Sequence, residues 1–110
     1  MSTELNTADT SAAIRRPSPL FRLGRLFVTP GALAALAEAE QSPEEFLRRH
    51  QSGDWGDLCA EDRQENQFSL AHHFRLLSAY RTQAGEKLWL LTEADRSATT
   101  ILLPREGVVA

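Results

Sequence analysis

Four side chains that lie close together in the sequence, His50, Asp54, Asp57 and Asp62, are its best candidates for chemistry. Three carboxylates and an imidazole are ligand types that hold a divalent cation in a small hydrolase or nuclease. Their spacing matches no established pattern. The alternate ligands and closing glutamate of a calcium loop are missing, and so is His-Glu-x-x-His. His72 and His73 are adjacent, so on a regular element they point in different directions and make no chelate. Glu61 and Asp62 also have a plainer use, at the positive end of a helix that starts near Ala60. Cys59 beside a histidine has the makings of a nucleophile, but between Leu58 and Ala60 it reads as a small core residue. Glu86, Lys87 and Asp95 are the carboxylates and lysine closest to a nuclease set, at hairpin ends where charges serve solubility. Neither a nucleophile elbow nor a phosphate loop occurs, and no cofactor is expected.

Other residues suit recognition better than catalysis. Trp55 stands between Asp54 and Asp57, with Gly53 and Gly56 close by. A tryptophan in that setting is either a packing anchor with its indole N–H tied down, or a surface contact for a protein partner together with Asp54 and Asp57. Asp95 and Arg96 lie in a second polar turn, Thr92–Ser97, which either caps itself or meets a partner. Arg15, Arg16, Arg22 and Arg25 follow one another with no acid between them. They read as a basic arm for weak nucleic-acid contact or as charges blunting an edge strand.

The elements that must position these groups can be traced. Met1–Pro19 is rich in Ser, Thr and Ala, lacks an apolar signal region and reads as a disordered tail. Residues 20–110 read as one domain. Phe21–Val28 predicts a first strand, interrupted by Gly24 as a bulge. Thr29-Pro30 starts a helix through Glu40, with Leu33, Leu36 and Ala37 facing the core. Ser42-Pro43 starts a second helix, with a capping box to Glu45 and with Phe46 and Leu47 buried. A third runs from Ala60 to about Ala71, anchored by Leu58, Phe68 and Leu70. Phe74–Arg81, Lys87–Thr92 and Thr99–Leu103 form a meander closed by Pro104. The fold class is α+β: a small antiparallel sheet of three to four strands with two or three short helices packed on one face.

Composition bounds the function. The chain has 110 residues, 15 acids, 12 bases and a single cysteine. That is one domain, too short for a bilobal enzyme, and it has no disulfide framework or Cys-rich zinc site. A net charge of −3 does not suit a protein that relies on overall basicity. The charge is uneven: residues 1–28 hold four bases and two acids, residues 29–110 eight bases and thirteen acids. Eleven of the bases are arginine, as a GC-rich genome would produce. No apolar run reaches the ~20 residues of a membrane span, so a cytoplasmic, soluble protein is expected. Exposed sheet edges leave room for a homodimer.

His50–Asp57, Leu77–Thr82, Lys87–Ser97 and Thr99–Pro104 together resemble a family of small proteins of bacterial plasmids and integrated elements, commonly labelled plasmid-related protein or type I restriction endonuclease subunit M. The resemblance covers about residues 25–104, and Arg105–Ala110 departs from the acidic, aromatic tail usual after the proline. It implies an accessory protein of mobile DNA and assigns no activity to any residue. A methyltransferase subunit needs a glycine-rich adenosylmethionine loop and an Asn/Asp-Pro-Pro-aromatic turn, and neither is present. The leading expectation is a non-catalytic protein that binds a partner in host defence or DNA-associated machinery. The alternative is the metal-dependent hydrolase or nuclease built on Asp54, Asp57 and Asp62.

Overall fold

The computed structural model describes residues 19–107. Arg15, Arg16 and nearly all of the expected tail lie outside the described residues. Strand β1 (Arg25–Val28) is followed by helices α1 (Pro30–Ala39), α2 (Pro43–Gln51) and α3 (Ala60–His72). Strands β2 (Leu76–Arg81), β3 (Lys87–Thr92) and β4 (Ala98–Leu102) come next, then a short 3-10 turn, Pro104–Glu106. This is the expected α+β architecture. The strand order is β1-β4-β3-β2. The meander β2-β3-β4 is antiparallel, whereas β1 joins β4 in parallel, with Val28 opposite Ile101, so the sheet is mixed. Gly24 does not form a bulge. Its φ is +69°, and a Cβ there would lie 2.4 Å from the Ser97 carbonyl, so glycine lets the chain enter the sheet against that turn.

Helix α1 starts where the sequence predicts, on the Thr29 cap. The Thr29 hydroxyl accepts from the Ala32 N–H at 3.2 Å and donates to Glu106 at 2.5 Å. The same carboxylate accepts from the N–H groups of Gly31 and Leu103, tying the C-terminal turn to the start of α1. Four α1 residues are buried: Ala32, Ala35, Leu36 and Ala39. Their spacing of three, four and seven is one helical stripe. Leu33 and Ala37, expected in the core, are on the outside, and Leu33 is 59% exposed. The small alanines set the phase, because they let the helix approach the sheet more closely than leucines would.

In α2 the Ser42 cap accepts from Glu44 N–H, while Glu45 pairs with Gln41, so the expected capping box does not close. Phe46, Leu47 and His50 face inward. With Ala32, Ala35 and Leu36 of α1, Phe46 and Leu47 cover Tyr80, Leu88, Leu90, Ile101 and Leu103 on one face of the sheet. Each large apolar side chain buried there contributes about 1.5–3 kcal/mol.

Helix α3 is polar and buries only Asn66 and Ser69. Phe68, expected as an anchor, is 49% exposed and stacks on Phe74 and His72 at the surface. Cys59, expected in the core, is the exposed residue just before α3. What α3 contributes is closure of an edge. The Asn66 amide donates to the Leu77 carbonyl at 2.7 Å and accepts from the Leu77 N–H at 3.1 Å, as a neighbouring strand would. Beside it, Trp55 and Asp57 exchange backbone hydrogen bonds with Ala79. The outer edge of β2 is thereby filled.

Candidate functional site

His50 lies between α2 and the covered face of the sheet, with none of its surface exposed. Its Nδ1 is 2.5 Å from the Ser78 hydroxyl and its Nε2 is 2.8 Å from that of Thr92. Thr92 is 2.8 Å from the Thr99 hydroxyl, which donates to the Leu23 carbonyl at 2.8 Å. Proton counting fixes the directions, because each hydroxyl has one hydrogen. Thr99 spends its hydrogen on Leu23, so Thr92 must donate to Thr99 and accept from His50. His50 is therefore protonated on Nε2, and Nδ1 accepts from Ser78. Burial, reinforced by the charge of Arg96, pushes the imidazole pKa down to about 3, so the ring is neutral at physiological pH. With both nitrogens occupied, His50 is a structural link between α2, β2, β3 and β4.

The loop after α2 is built on the same principle. Trp55 is 3% exposed and packs 5.9 Å from His50 and 6.3 Å from Phe21, which corrects its expected role as a surface contact. Among the described residues its indole N–H has no acceptor. The Tyr80 hydroxyl donates to the Asp54 carbonyl, and burial raises its pKa. The Asp54 carboxylate accepts from Arg49 at 2.7 Å and from the Gly56 N–H, and chiefly the Arg49 bond lowers its pKa. Gly56, at φ +78°, runs so close to β2 that a Cβ would sit 1.9 Å from the Ala79 carbonyl oxygen. Asp57 is exposed and lies 4.0 Å from Arg81, and Asp62 is exposed on α3. The proposed metal set is thus divided between the interior and the surface. Among the described residues no three His, Cys, Asp or Glu side chains gather where an ion could be held.

Arg96 is likewise absorbed into the fold. Its guanidinium donates to the carbonyls of Phe74, Glu93, Ala94 and Ser69, all within 3.1 Å, and lies over the Phe21 ring. These bonds hold a residue whose φ is +61°, a conformation that costs a non-glycine of order 1 kcal/mol. Asp95 is exposed and caps its own turn by accepting from the Ser97 N–H, and the Ser97 side chain, then that N–H, lower its pKa. Arg22 and Arg25 are exposed, Arg25 at the start of β1.

The surface left for recognition is the other face of the sheet. Residues paired across strands share a face. One row runs Phe27, Thr100, Leu91, Leu77, and the next runs Leu102, Trp89, Ala79. No helix of the described residues covers these rows. Gly107 rests against Trp89 and Leu102 at one margin. Phe27 is 50% exposed, while Leu77, Trp89, Leu91 and Thr100 are partly exposed. Arg81 and Lys87 pair on this face at one end of the strands. At the other end Arg25 lies opposite Ala98, and Arg75 sits 3.7 Å from Glu93. Four bases, two of them paired with the acids Glu93 and Asp57, therefore border an apolar, aromatic centre. The depression between α1 and the C-terminal turn, lined by Gly31, Glu38, Glu86 and Arg105, encloses about 140 Å³. That is below the ~300–1,000 Å³ usual for small-molecule sites.

Phe27 and Trp89 were not among the expected contacts. The signal for Trp89 lies in Leu88-Trp89-Leu90-Leu91 and that for Phe27 in Leu26-Phe27-Val28, unbroken apolar runs in strands. No helix of the described residues is long and apolar enough to cross a membrane. No protein-family model, curated protein or solved structure matches the chain.

Proposed function

We propose that this chain is a non-catalytic binding module that engages its partner through the uncovered face of the sheet. The observation carrying the reading is the row Phe27, Leu91, Leu77 with Trp89 beside it, apolar side chains on a sheet face that no helix of the described residues covers. An exposed apolar patch rimmed by charge is the usual form of an interaction surface. The placement of His50, Trp55 and Arg96 supports the same reading. Each has its polar groups or ring engaged in holding elements together, which leaves none of them free for a reaction. The resemblance to small proteins of plasmids and integrated elements supports a role beside mobile DNA, as an accessory to host-defence or DNA-associated machinery. A cytoplasmic setting belongs to the same proposal, and the exposed thiol of Cys59 suits a reducing compartment.

Capture from lysate of the native host tests it, with four immobilised chains compared side by side. Wild type is expected to retain a component that Phe27→Ser and Leu91→Glu lose, while Arg48→Glu on the helical side keeps it. Equal retention by all four chains overturns the assignment of the face.

A further inference from the structure

We propose that the open face is a platform for single-stranded nucleic acid, with Phe27 and Trp89 stacking against bases and Arg25, Arg75, Arg81 and Lys87 meeting phosphates. The inference rests on the binding-module reading and names the partner of the same surface. Aromatic rings on an open surface, bordered by cations, are the two parts that sequence-tolerant single-strand binding needs. Phe27 lies on the edge strand β1 and Trp89 on the interior strand β3, with β4 between them. Two strand spacings across and two residues along put their backbones about 12 Å apart. That span is roughly two nucleotide steps of an extended strand, whose flat base faces are exposed only when unpaired.

The cations bracket the rings. Arg25 and Arg75 stand at one end of the strands, Arg81 and Lys87 at the other. A phosphate backbone crossing the sheet meets positive charge at both ends and apolar surface between. The ion pairs already present, Arg75 with Glu93 at 3.7 Å and Arg81 with Asp57 at 4.0 Å, are exposed. Pairs of that kind hold their partners weakly and exchange for a phosphate at little cost.

The overall charge of −3 does not oppose this, because the charge is segregated. Nine acids lie between Glu38 and Glu65, on the helices and their connections. A helix layer packs about 10 Å from the sheet it covers, which is close to the Debye length of about 8 Å at physiological salt. The acids on α1 and α2 are therefore largely screened from the open face, while Asp57 stays at its margin beside Arg81. A peptide adding itself as a further strand finds the outer edge of β2 already filled by Asn66, Trp55 and Asp57, and is left with the four-residue edge of β1.

The test uses the purified full chain and labelled oligonucleotides, oligo-dT and oligo-U of twenty nucleotides and a duplex of equal length, read by fluorescence anisotropy. Both single strands are expected to bind more than ten-fold tighter than the duplex, and the tighter of the two identifies DNA or RNA as the natural source. Four phosphate contacts predict a slope of log K against log salt of about −3 for single strands. Phe27→Ala and Trp89→Leu are each expected to weaken binding about ten-fold, as the loss of a base stack does. Arg81→Glu with Lys87→Glu should abolish it, and Arg48→Glu on the far side should leave it unchanged.

Trp55 is buried, so Trp89 is the reporter. Tryptophan emission should be quenched by oligonucleotide in Trp55→Phe and stay unquenched in Trp89→Phe. Absence of single-strand binding at low salt, or binding equally reduced by Arg48→Glu, overturns the inference. Concentration-dependent dimerisation abolished by Phe27→Ala also overturns it, in favour of a second copy of this chain on the face. If oligonucleotides fail while the lysate component is still lost with Phe27→Ser and Leu91→Glu, the binding module stands and only the nucleic acid is wrong.

Discussion

The two faces of one sheet meet their surroundings in opposite ways. On the covered face, even the polar positions are closed: Ser78, Thr92 and Thr99 are fully buried, and each is tied into one directed chain through His50. On the open face, residues one position along the same strands are left part-exposed: Leu77, Leu91 and Thr100. The covered face spends polar groups on internal order, whereas the open face leaves apolar groups without internal partners. His50 and Arg96, which look chemical in the sequence, have their polar groups filled from within the fold. If recognition uses the open face, as proposed, substitutions should separate it from stability.

The sharpest separation is expected at His50. His50→Ala removes a buried ring and leaves the Ser78 hydroxyl without its acceptor, a loss of about 3–5 kcal/mol. In chemical denaturation the midpoint should fall sharply, and many preparations of the variant should not fold. The ring also makes stability depend on pH. Its folded pKa lies near 3, below its ordinary value of 6.5, so between these limits the unfolded chain binds the extra proton. Stability is therefore full above about pH 6.5 and is lost as pH falls, by about 1.4 kcal/mol per unit at most. The window from about pH 6.5 to 4.5 isolates His50, because the lowered carboxylates of Asp54 and Asp95 titrate below it. Denaturation midpoints that stay flat across that window would mean the imidazole is not enclosed.

Arg96 comes next. Arg96→Ala leaves the Phe74 carbonyl without its guanidinium donor, removes one of the donors to Ser69 and frees the turn after β3, at an expected cost of about 2–3 kcal/mol. Arg96→Lys should recover little, since one ammonium cannot reach four carbonyls in a plane. Thermal melts of the three chains decide it: a lysine variant as stable as wild type would reduce Arg96 to a point charge. Binding through the open face should survive both substitutions wherever the chain remains folded.

Legibility from the sequence divides along the same line. Lys87–Thr92 is found at its expected bounds, because an apolar run and the turn residues that flank it act locally. The Thr29 and Ser42 caps are also local and readable. The phase of α1 is not: Leu33 and Leu36 look equivalent on a helix, and only the approach of Ala32 and Ala35 to the sheet separates them. The parallel entry of β1 is likewise invisible, since it depends on Gly24 meeting Ser97 far along the chain. His50 and Trp55 misled for one reason. Residue type signals reactivity, but the groups that bond His50, Ser78 and Thr92, and the Phe21 ring that covers Trp55 come from other elements. The open face was readable only as the unbroken runs Leu26–Val28 and Leu88–Leu91, a sign that both sides of those strands want apolar contact.

The smallest effect on stability is expected where the effect on binding is largest. Phe27 is half exposed, on an edge strand, and packs against no part of the buried core cluster. Its truncation to alanine removes little buried area, so unfolding should change by no more than about 0.5 kcal/mol, the usual range for surface sites. Its β-propensity works weakly in the same direction, since a phenylalanine suits a strand better than alanine does. A denaturation curve that overlays wild type, from a chain that has lost its partner, would separate the two faces outright. A cost above about 1 kcal/mol would instead mean that something within the chain leans on Phe27, and the face would no longer be open. The two measurements bear on one atom group and can disagree, which makes Phe27 the residue on which the contrast between the faces turns.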